Sequence, residues 1–120
     1  MAHGEYNHIE IPYDDEERAT AFYSGVFGWQ FSQMDDFPGY DIYRVGPGDL
    51  GGGLGKRGES AGTTTRNYIS VDSVDDAVKK VIKLGGTITT PKSEIPGMGW
   101  YAAGTDSEGN PLALYETTPR

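Results

Sequence analysis

The chain contains a strand–helix–strand pattern that occurs twice, with the two copies starting about 60 residues apart. The first copy runs from Asn7 to Phe31, and the second runs from Asn67 to Thr90. Each copy opens with alternating residues, continues with an acidic pair that begins a helix, and ends at a glycine followed by β-prone residues. Self-similarity at a fixed period indicates that one structural unit is used twice, and this decides the architecture.

Further alternating stretches and turn sequences extend each copy to the element order β-α-β-β-β. The first module covers about residues 6–57 and the second about 66–117, with a small polar linker at 58–65. A chain of 120 residues has room for one domain that contains both modules. We therefore predict an α+β fold, in which two tandem βαβββ modules form a curved, incompletely closed eight-stranded mixed sheet with two helices on the outer face.

Alternation along the predicted strands separates two faces of the sheet. Ile9 and Ile11 lie on the face covered by the first helix, and Leu112 and Leu114 lie on the corresponding face of the second module. The opposite face is predicted to be aromatic and polar and to line a shared concave surface. Its predicted members are Tyr6, His8, Glu10, Tyr68, Ser70, Ala113 and Tyr115.

The first predicted helix has Asp14 as its N-cap and Gly28 as its C-terminal stop. It carries an apolar stripe at helical spacing. Burial of each large member would contribute about 1.5–3 kcal/mol, so we expect the stripe to pack against the sheet. The stripe consists of Ala19, Phe22, Tyr23, Val26 and Phe27.

The formal net charge is −8, and the chain contains no cysteine. This charge argues against nucleic acid as a partner, because neutralising phosphates requires clustered Lys and Arg. The lack of cysteine removes disulfides, thiolate metal ligands and a cysteine nucleophile, and it fits a reducing compartment. No apolar stretch approaches the roughly 20 residues of a membrane span, and no secretory leader follows Met1, so we expect a cytoplasmic protein without membrane contact.

Four motifs follow one another along the chain: NHIEIP, FYSGVFGW, YISVDSVDDAV and PGMGWYAAGTDSEGNPLALYE. In order and spacing, from His8 to Glu116, they resemble the vicinal oxygen chelate superfamily. That superfamily includes glyoxalase I, extradiol dioxygenases, fosfomycin-resistance proteins and bleomycin-binding proteins, and the last motif is similar to small glyoxalase-like proteins. The resemblance implies the fold described above, a small-molecule ligand in a concave cavity, and a homodimer.

Metal-using members of this superfamily take one ligand from the first and one from the fourth strand of each module. The resemblance places these ligands at His8, within Gly51–Gly53, at Tyr68 and at Ala113. Only His8 is of ligand type, whereas a divalent ion needs at least three nitrogen or oxygen ligands. We therefore predict no metal site and no cofactor, with a divalent ion such as Zn, Ni, Mn or Fe as the open alternative. The glycine run lies in strand-like sequence, which favours close backbone approach over a phosphate loop.

His8 and Glu10 are the predicted catalytic residues. His8 on a concave sheet face could act as a general base or as a hydrogen-bond donor, and an unperturbed pKa of about 6.5 suits either role. Glu10 lies on the same face and would orient His8 or stabilise its charge. The structural alternatives are a histidine satisfied by its neighbours and an acidic residue on a half-solvated strand.

Five further residues are predicted to contact the ligand. Tyr68 and Tyr115 offer flat apolar bodies with hydroxyl tips that suit a planar organic molecule, although both could instead fill the core where the modules meet. Trp100 follows the glycine-flanked Met98 and would form a mobile wall of the cavity, unless this segment is a simple turn. Arg44 would pair with an anionic ligand or remain solvated.

Three functions are compatible with this sequence. The first is a metal-independent glyoxalase-like protein that binds a small organic ligand, with acid–base chemistry by His8. The second is a drug-sequestering protein of the bleomycin-resistance type, without turnover. The third is a divergent divalent-metal lyase or dioxygenase. The sequence does not decide between catalyst and binder, because both need a concave pocket with a few placed polar groups.

Overall fold

The computed structural model describes residues 3–34, 37–44 and 50–117. The described residues form two helices and eight strands in the predicted order. These elements are β1 Tyr6–Tyr13, α1 Glu16–Phe27, β2 Phe31–Met34, β3 Phe37–Arg44, β4 Gly51–Lys56, β5 Arg66–Ser70, α2 Val74–Lys83, β6 Thr87–Ile95, β7 Gly99–Thr105 and β8 Pro111–Thr117. None of the helices in this described part of the chain is long and apolar enough to cross a lipid bilayer.

The chain divides into two compact units. The first unit is His8–Arg66, and the second combines the N-terminal segment up to Asn7 with the chain from Asn67 onward. In the first unit the strand order is β2-β3-β4-β1, with β4 parallel to β1 and antiparallel to β3. In the second unit the order is β5-β8-β7-β6, with β5 parallel to β8 and the other pairs antiparallel. The prediction of an α+β fold with repeated βαβββ modules and mixed strand pairing is therefore confirmed.

The second unit has a helix-covered face and an opposite face, as alternation predicts. Val74 of α2, Ala102 and Leu114 are buried together under the helix. On the other face, Tyr68, Ala103 and Ala113 are buried together, and Tyr101 and Tyr115 pack against them. The predicted division between Leu112 and Leu114 on one side and Ala113 and Tyr115 on the other is thus confirmed.

Helix α1 differs from its prediction in two respects. Its N-cap is Asp15 rather than Asp14, because the Asp15 carboxylate accepts the backbone N–H of Arg18 at 3.0 Å. The apolar stripe is only partly packed: Phe22, Val26 and Phe27 remain 57%, 58% and 57% exposed in the described chain. Gly28 ends the helix as predicted, with a φ of 75° that favours glycine.

Tyr23 is a half-buried member of the stripe, and it packs within an aromatic stack. The Tyr23 and Trp29 rings are parallel with centroids 5.2 Å apart, and Trp29 in turn stacks on Tyr43 at 4.5 Å. Because one side of the helix contacts this stack, the neighbouring side that carries Phe22 and Val26 faces outward. The stripe of five apolar residues is therefore wider than the part of the first unit against which the helix packs.

Candidate functional site

The candidate site is a chain of four polar side chains within the first unit. His8 Nε2 lies 2.7 Å from the Tyr40 hydroxyl, which donates a hydrogen bond of 2.9 Å to Glu10 Oε2. The other carboxylate oxygen of Glu10 accepts a hydrogen bond from the Arg66 guanidinium at 2.8 Å. We call these four hydrogen-bonded side chains, which are His8, Tyr40, Glu10 and Arg66, the His8–Arg66 chain. It joins residues from β1, β3 and the start of β5.

Tyr40 can reach His8 and Glu10 because of a glycine in the strand between them. Strand β4 lies between β3 and β1, and its Gly53 is opposite both Glu10 and Ile42 in the register. A Cβ atom added at Gly53 would lie 2.1 Å from Cε1 of the Tyr40 ring, well inside any allowed contact. Tyr40 thus crosses β4 over Gly53, and a side chain at this position would displace the ring.

A second tyrosine crosses a glycine on the other face of β4. The Tyr43 hydroxyl donates a hydrogen bond of 2.9 Å to the Ile9 carbonyl, and a Cβ added at Gly52 would lie 2.6 Å from that hydroxyl. Burial, with the nearby Tyr23 as a smaller cause, raises the pKa of Tyr43 to about 12, so this hydroxyl remains a donor at ordinary pH. The glycine run is therefore a site of close approach, as the sequence analysis predicts.

The Glu10 carboxylate is buried together with the cation that balances it. The side chains of Glu10 and Arg66 are 4% and 18% exposed. A buried carboxylate is expensive unless its oxygens are hydrogen-bonded and its charge is compensated. Tyr40 and Arg66 meet both conditions, since each takes one of the two oxygens.

Burial, assisted by the positive charge of Arg66, lowers the pKa of His8 to about 4. The expectation of an unperturbed value is therefore wrong, because desolvation disfavours the charged imidazolium. Neutral imidazole carries a single ring hydrogen. Since Tyr40 donates its own hydrogen to Glu10, the hydrogen between His8 and Tyr40 belongs to Nε2, and the lone pair of the ring is on Nδ1.

The other predicted ligand-contacting residues are distributed over both units. Tyr68 and Tyr115 belong to the same cluster on one face of the second unit, where the Tyr115 hydroxyl donates to the carbonyl of the exposed Met98 at 3.0 Å. Trp100 instead packs with the cluster under α2, on the face opposite Tyr68, and Lys92 Nζ lies 4.7 Å from its ring centroid. Arg44 is exposed at the end of β3.

Sequence reasoning missed Tyr40 and Arg66, which are two of the four side chains of the His8–Arg66 chain. Alternation places Tyr40 on the same face of β3 as Arg44, but it does not show that the side chain crosses a neighbouring strand. The available signal was the glycine run, because three consecutive small residues leave room for a large side chain from the next strand. Arg66 begins β5 immediately after a polar linker, and nothing in its local sequence marks it as a partner of Glu10.

The positions implied as metal ligands do not fit a divalent ion. In the first unit, His8 is opposite Gly51, the space beside Gly53 is filled by the Tyr40 ring, and the Nε2 hydrogen of His8 is directed at Tyr40. In the second unit, the paired residues are Tyr68 and Ala113. Throughout the described ranges, no three or more His, Cys, Asp or Glu side chains come together as a metal-binding group.

Comparisons with known proteins give concordant results. A family model described as "Bleomycin resistance protein-like N-terminal" matches residues 7–41. A glyoxylase-like domain-containing protein of Didymella fabae is 32% identical over an alignment of 131 positions, which covers 95% of this chain and 94% of the relative. CFP32 of Mycobacterium bovis, which bears a provisional glyoxylase name, is 26% identical over 113 residues. That alignment covers 92% of this chain but 43% of CFP32, so the chain spans less than half of that protein.

A solved structure shows the same fold at low sequence identity. It is a glyoxalase/bleomycin resistance protein/dioxygenase superfamily member from Vibrio splendidus 12B01, with a TM-score of 0.67 and 9% identity. The superposition covers 92% of this chain and 97% of that chain. At such identity the likeness concerns the fold alone.

Proposed function

Because the chain belongs to the glyoxalase/bleomycin resistance/dioxygenase superfamily, we propose that it binds a small organic molecule at the His8–Arg66 chain without a family-type metal ion. Members of this superfamily bind small molecules. The proposed ligand lies on the face of the first unit that carries His8. The proposed working state is a cytoplasmic homodimer.

The observation that carries this proposal is the ordered, partly buried polar network that includes His8. Burying the Glu10–Arg66 pair requires desolvation of both ions, and replacing such pairs by apolar residues is often neutral or stabilising. A network of this kind is therefore weak evidence for a purely structural role. It does fix the tautomer and orientation of a neutral imidazole, which is what a hydrogen-bonding site for a ligand requires.

The lowered pKa of His8 separates two roles within the proposed site. A general base works best when its pKa lies near the operating pH. With a pKa of about 4, His8 is neutral and only weakly basic at pH 7. We therefore favour hydrogen bonding to the ligand as its main role, and acid–base turnover by His8 with Glu10 is the catalytic alternative.

A drug-sequestering function is the second candidate. The match of residues 7–41 to the bleomycin resistance-like family favours it, and a net charge of −8 suits a cationic drug. A divalent-metal lyase or dioxygenase is the third, and the residues at the implied ligand positions argue against it.

A ligand screen with matched variants tests the proposal. The purified protein is screened by thermal shift against small aromatic molecules and metabolites, and hits are titrated by calorimetry into His8→Gln, Tyr40→Phe and His3→Gln. The side chain of His3 is 58% exposed, and this variant is the control for replacing a histidine by glutamine. We expect a ligand whose affinity falls at least about tenfold in the first two variants and is unchanged in the third.

Two further measurements separate the alternatives. Elemental analysis of the purified chain is expected to give less than about a tenth of an equivalent of any divalent metal. A stoichiometric metal that resists dialysis would overturn the metal-independent proposal. Calorimetry with a cationic glycopeptide distinguishes sequestration: tight binding without chemical change of the drug would favour that function, and flat isotherms would remove it.

A further inference from the structure

One contact between α1 and the sheet of the first unit is made by two acidic side chains that share a neutral partner. Glu16 lies in the first turn of α1, and Asp41 lies in β3. The amide nitrogen of Gln33 donates hydrogen bonds to both, at 2.9 Å to Glu16 Oε2 and at 3.0 Å to Asp41 Oδ1. One amide group thus directs its two hydrogens at two carboxyl groups and holds them side by side.

Asp41 is the buried member of this pair. It is 5% exposed, and in the strand register it is opposite Gln33 on β2 and the fully buried Leu54 on β4. Asp41 Oδ1 accepts the bond from Gln33, but within the described ranges Asp41 Oδ2 is buried and accepts no hydrogen bond from an N–H or O–H group. A buried carboxylate oxygen without a donor is unfavourable, so this oxygen requires a hydrogen from another source.

Glu16 can supply this hydrogen when it is protonated. A hydrogen bond between Glu16 and Asp41 raises the pKa of Glu16, and burial and the negative charge of Asp41 act in the same direction. Two ionised carboxylates in contact have no hydrogen to share and repel each other, whereas one proton between them gives a strong O–H···O⁻ bond. The geometry of the pair therefore favours one proton rather than none.

The other acidic groups that face the pair increase its need for a proton. Glu17 follows Glu16 in α1, and its charge raises the pKa of Glu16 further. From the end of β1, the Tyr13 hydroxyl donates to the Gly39 carbonyl at 2.5 Å rather than to a carboxylate. Burial, and then the charges of Glu16 and Asp41, raise the pKa of Tyr13, so this hydroxyl also remains protonated.

The cations Arg18 and Arg57 act on a different carboxylate near this end of α1. Arg57 Nε donates a hydrogen bond to Asp14 Oδ1 at 2.9 Å. This bond and the charge of Arg57, with Arg18 as a smaller cause, lower the pKa of Asp14. These positive charges therefore compensate Asp14, and a proton is what compensates the second charge of the Glu16–Asp41 pair.

We propose that Glu16 and Asp41 share one proton that attaches the first turn of α1 to β3, and that losing this proton as the pH rises detaches this end of the helix. This pH-sensitive contact is separate from the four side chains of the His8–Arg66 chain and requires no ligand. Because the pKa of Glu16 is raised on folding, the stabilisation is complete below the ordinary value of 4.5 and is lost as the pH rises through the raised pKa. This pH dependence is opposite in sign to the one that His8 contributes.

Carbon-13 NMR of the side-chain carboxyl groups in the full chain tests for the shared proton. Over about pH 3–9, we expect the Glu16 and Asp41 carbons to shift together in two steps, one of which lies above pH 4.5. In Asp41→Asn, the Glu16 carbon should shift in a single step that lies below the upper step of the unmodified chain. Independent steps at or below pH 4.5 for both carboxyl groups would overturn the proposal.

Thermal unfolding of two matched variants measures what the proton contributes. Glu16→Gln keeps a neutral hydrogen-bond donor beside Asp41 at every pH, and Glu17→Gln removes a charge from the same helical turn at an exposed position. As the pH rises from 4.5 to about 8, the melting temperature of Glu16→Gln should gain at least about 2 °C on that of the unmodified chain, and Glu17→Gln should gain less than half as much. The contribution of His8 is common to all three proteins and cancels in these differences. Equal gains in both variants, or no gain in Glu16→Gln, would contradict the proposal.

Amide hydrogen exchange tests whether the helix end detaches. Ala19 and Ala77 donate corresponding backbone bonds in the two helices, to the Asp15 carbonyl at 2.9 Å and to the Ser73 carbonyl at 3.0 Å. Across the same pH window, the protection of Ala19 should fall at least about threefold relative to that of Ala77, and Glu16→Gln should abolish this fall. A constant ratio in the unmodified chain would overturn the proposal. None of these measurements involves a ligand, so they are independent of the titrations that test the proposed function.

Discussion

Replacing Gly53 by alanine should disrupt the His8–Arg66 chain, although Gly53 itself makes none of the hydrogen bonds in that chain. The new Cβ would lie 2.1 Å from Cε1, 2.3 Å from Cζ and 2.5 Å from Oη of Tyr40, so the ring has to leave its place. Overpacking of this kind costs about 1–3 kcal/mol. A hydrogen bond to a charged group is worth about 1.5–3 kcal/mol, and the displaced Tyr40 gives up its bond to Glu10.

These two costs have one cause and do not add fully, so we expect Gly53→Ala to lower the free energy of unfolding by about 2–4 kcal/mol. Urea denaturation at pH 7 measures this change. Gly62→Ala is the matched control, because a Cβ at Gly62 would meet its nearest atoms only at 3.9 Å, an ordinary contact.

A double-mutant cycle identifies the source of the cost. In the Tyr40→Ala background the ring is absent, so adding Gly53→Ala should cost less than about 1 kcal/mol. An equal cost in both backgrounds would show that the Tyr40 ring is not what excludes a side chain at Gly53. A Gly53→Ala variant as stable as the Gly62→Ala control would refute the reasoning altogether.

Three further outcomes follow from the described contacts. The pKa of His8 falls to about 4 on folding, so the unfolded chain binds more protons than the folded chain between pH 4 and 6.5. The free energy of unfolding should therefore rise with pH across this window by about 2–3 kcal/mol. In urea titrations, His8→Gln should flatten this slope, and an NMR pKa of His8 above about 6 would contradict the prediction. Arg66→Met should cost about 3–5 kcal/mol at pH 7, because it leaves the Glu10 carboxylate buried without its cation, and a Glu10→Gln, Arg66→Met double variant should recover part of this loss. Tyr43→Phe should cost about 1 kcal/mol by removing the hydrogen bond to the Ile9 carbonyl, and a thermal unfolding curve that matches the unmodified chain would argue that this bond is not made.

The repeat and the strand alternation were sufficient to predict the element order and the separation of faces. Both are local, periodic properties, and Leu114 under the helix with Ala113 on the other side follows directly from a period of two. The cap of α1 was misplaced by one residue because Asp14 and Asp15 are equally good caps by composition. Only the bond from Arg18 N to Asp15 distinguishes them.

The candidate site was predicted only in part, because its geometry depends on contacts between distant strands. His8 and Glu10 were identified, since they are polar residues on one face of a half-buried strand. The reach of Tyr40 across β4 depends on the register of three strands, which no local pattern contains. The pKa of His8 depends on burial and on Arg66, 58 residues away in sequence, so it could not be predicted from the imidazole alone.

Strand β4, which lies between β3 and β1, limits how this scaffold could acquire new chemistry. At Gly52 and Gly53, β4 supplies backbone and no side chain, and tyrosines anchored on β3 cover it from both sides. A carboxylate introduced at position 53 to bind an ion would collide with the ring at position 40. A smaller residue at position 40 would remove one of the hydrogen bonds to Glu10. Either step alone is a disadvantage, so a lineage that starts from this chain must change both positions together before an ion-binding descendant can be selected.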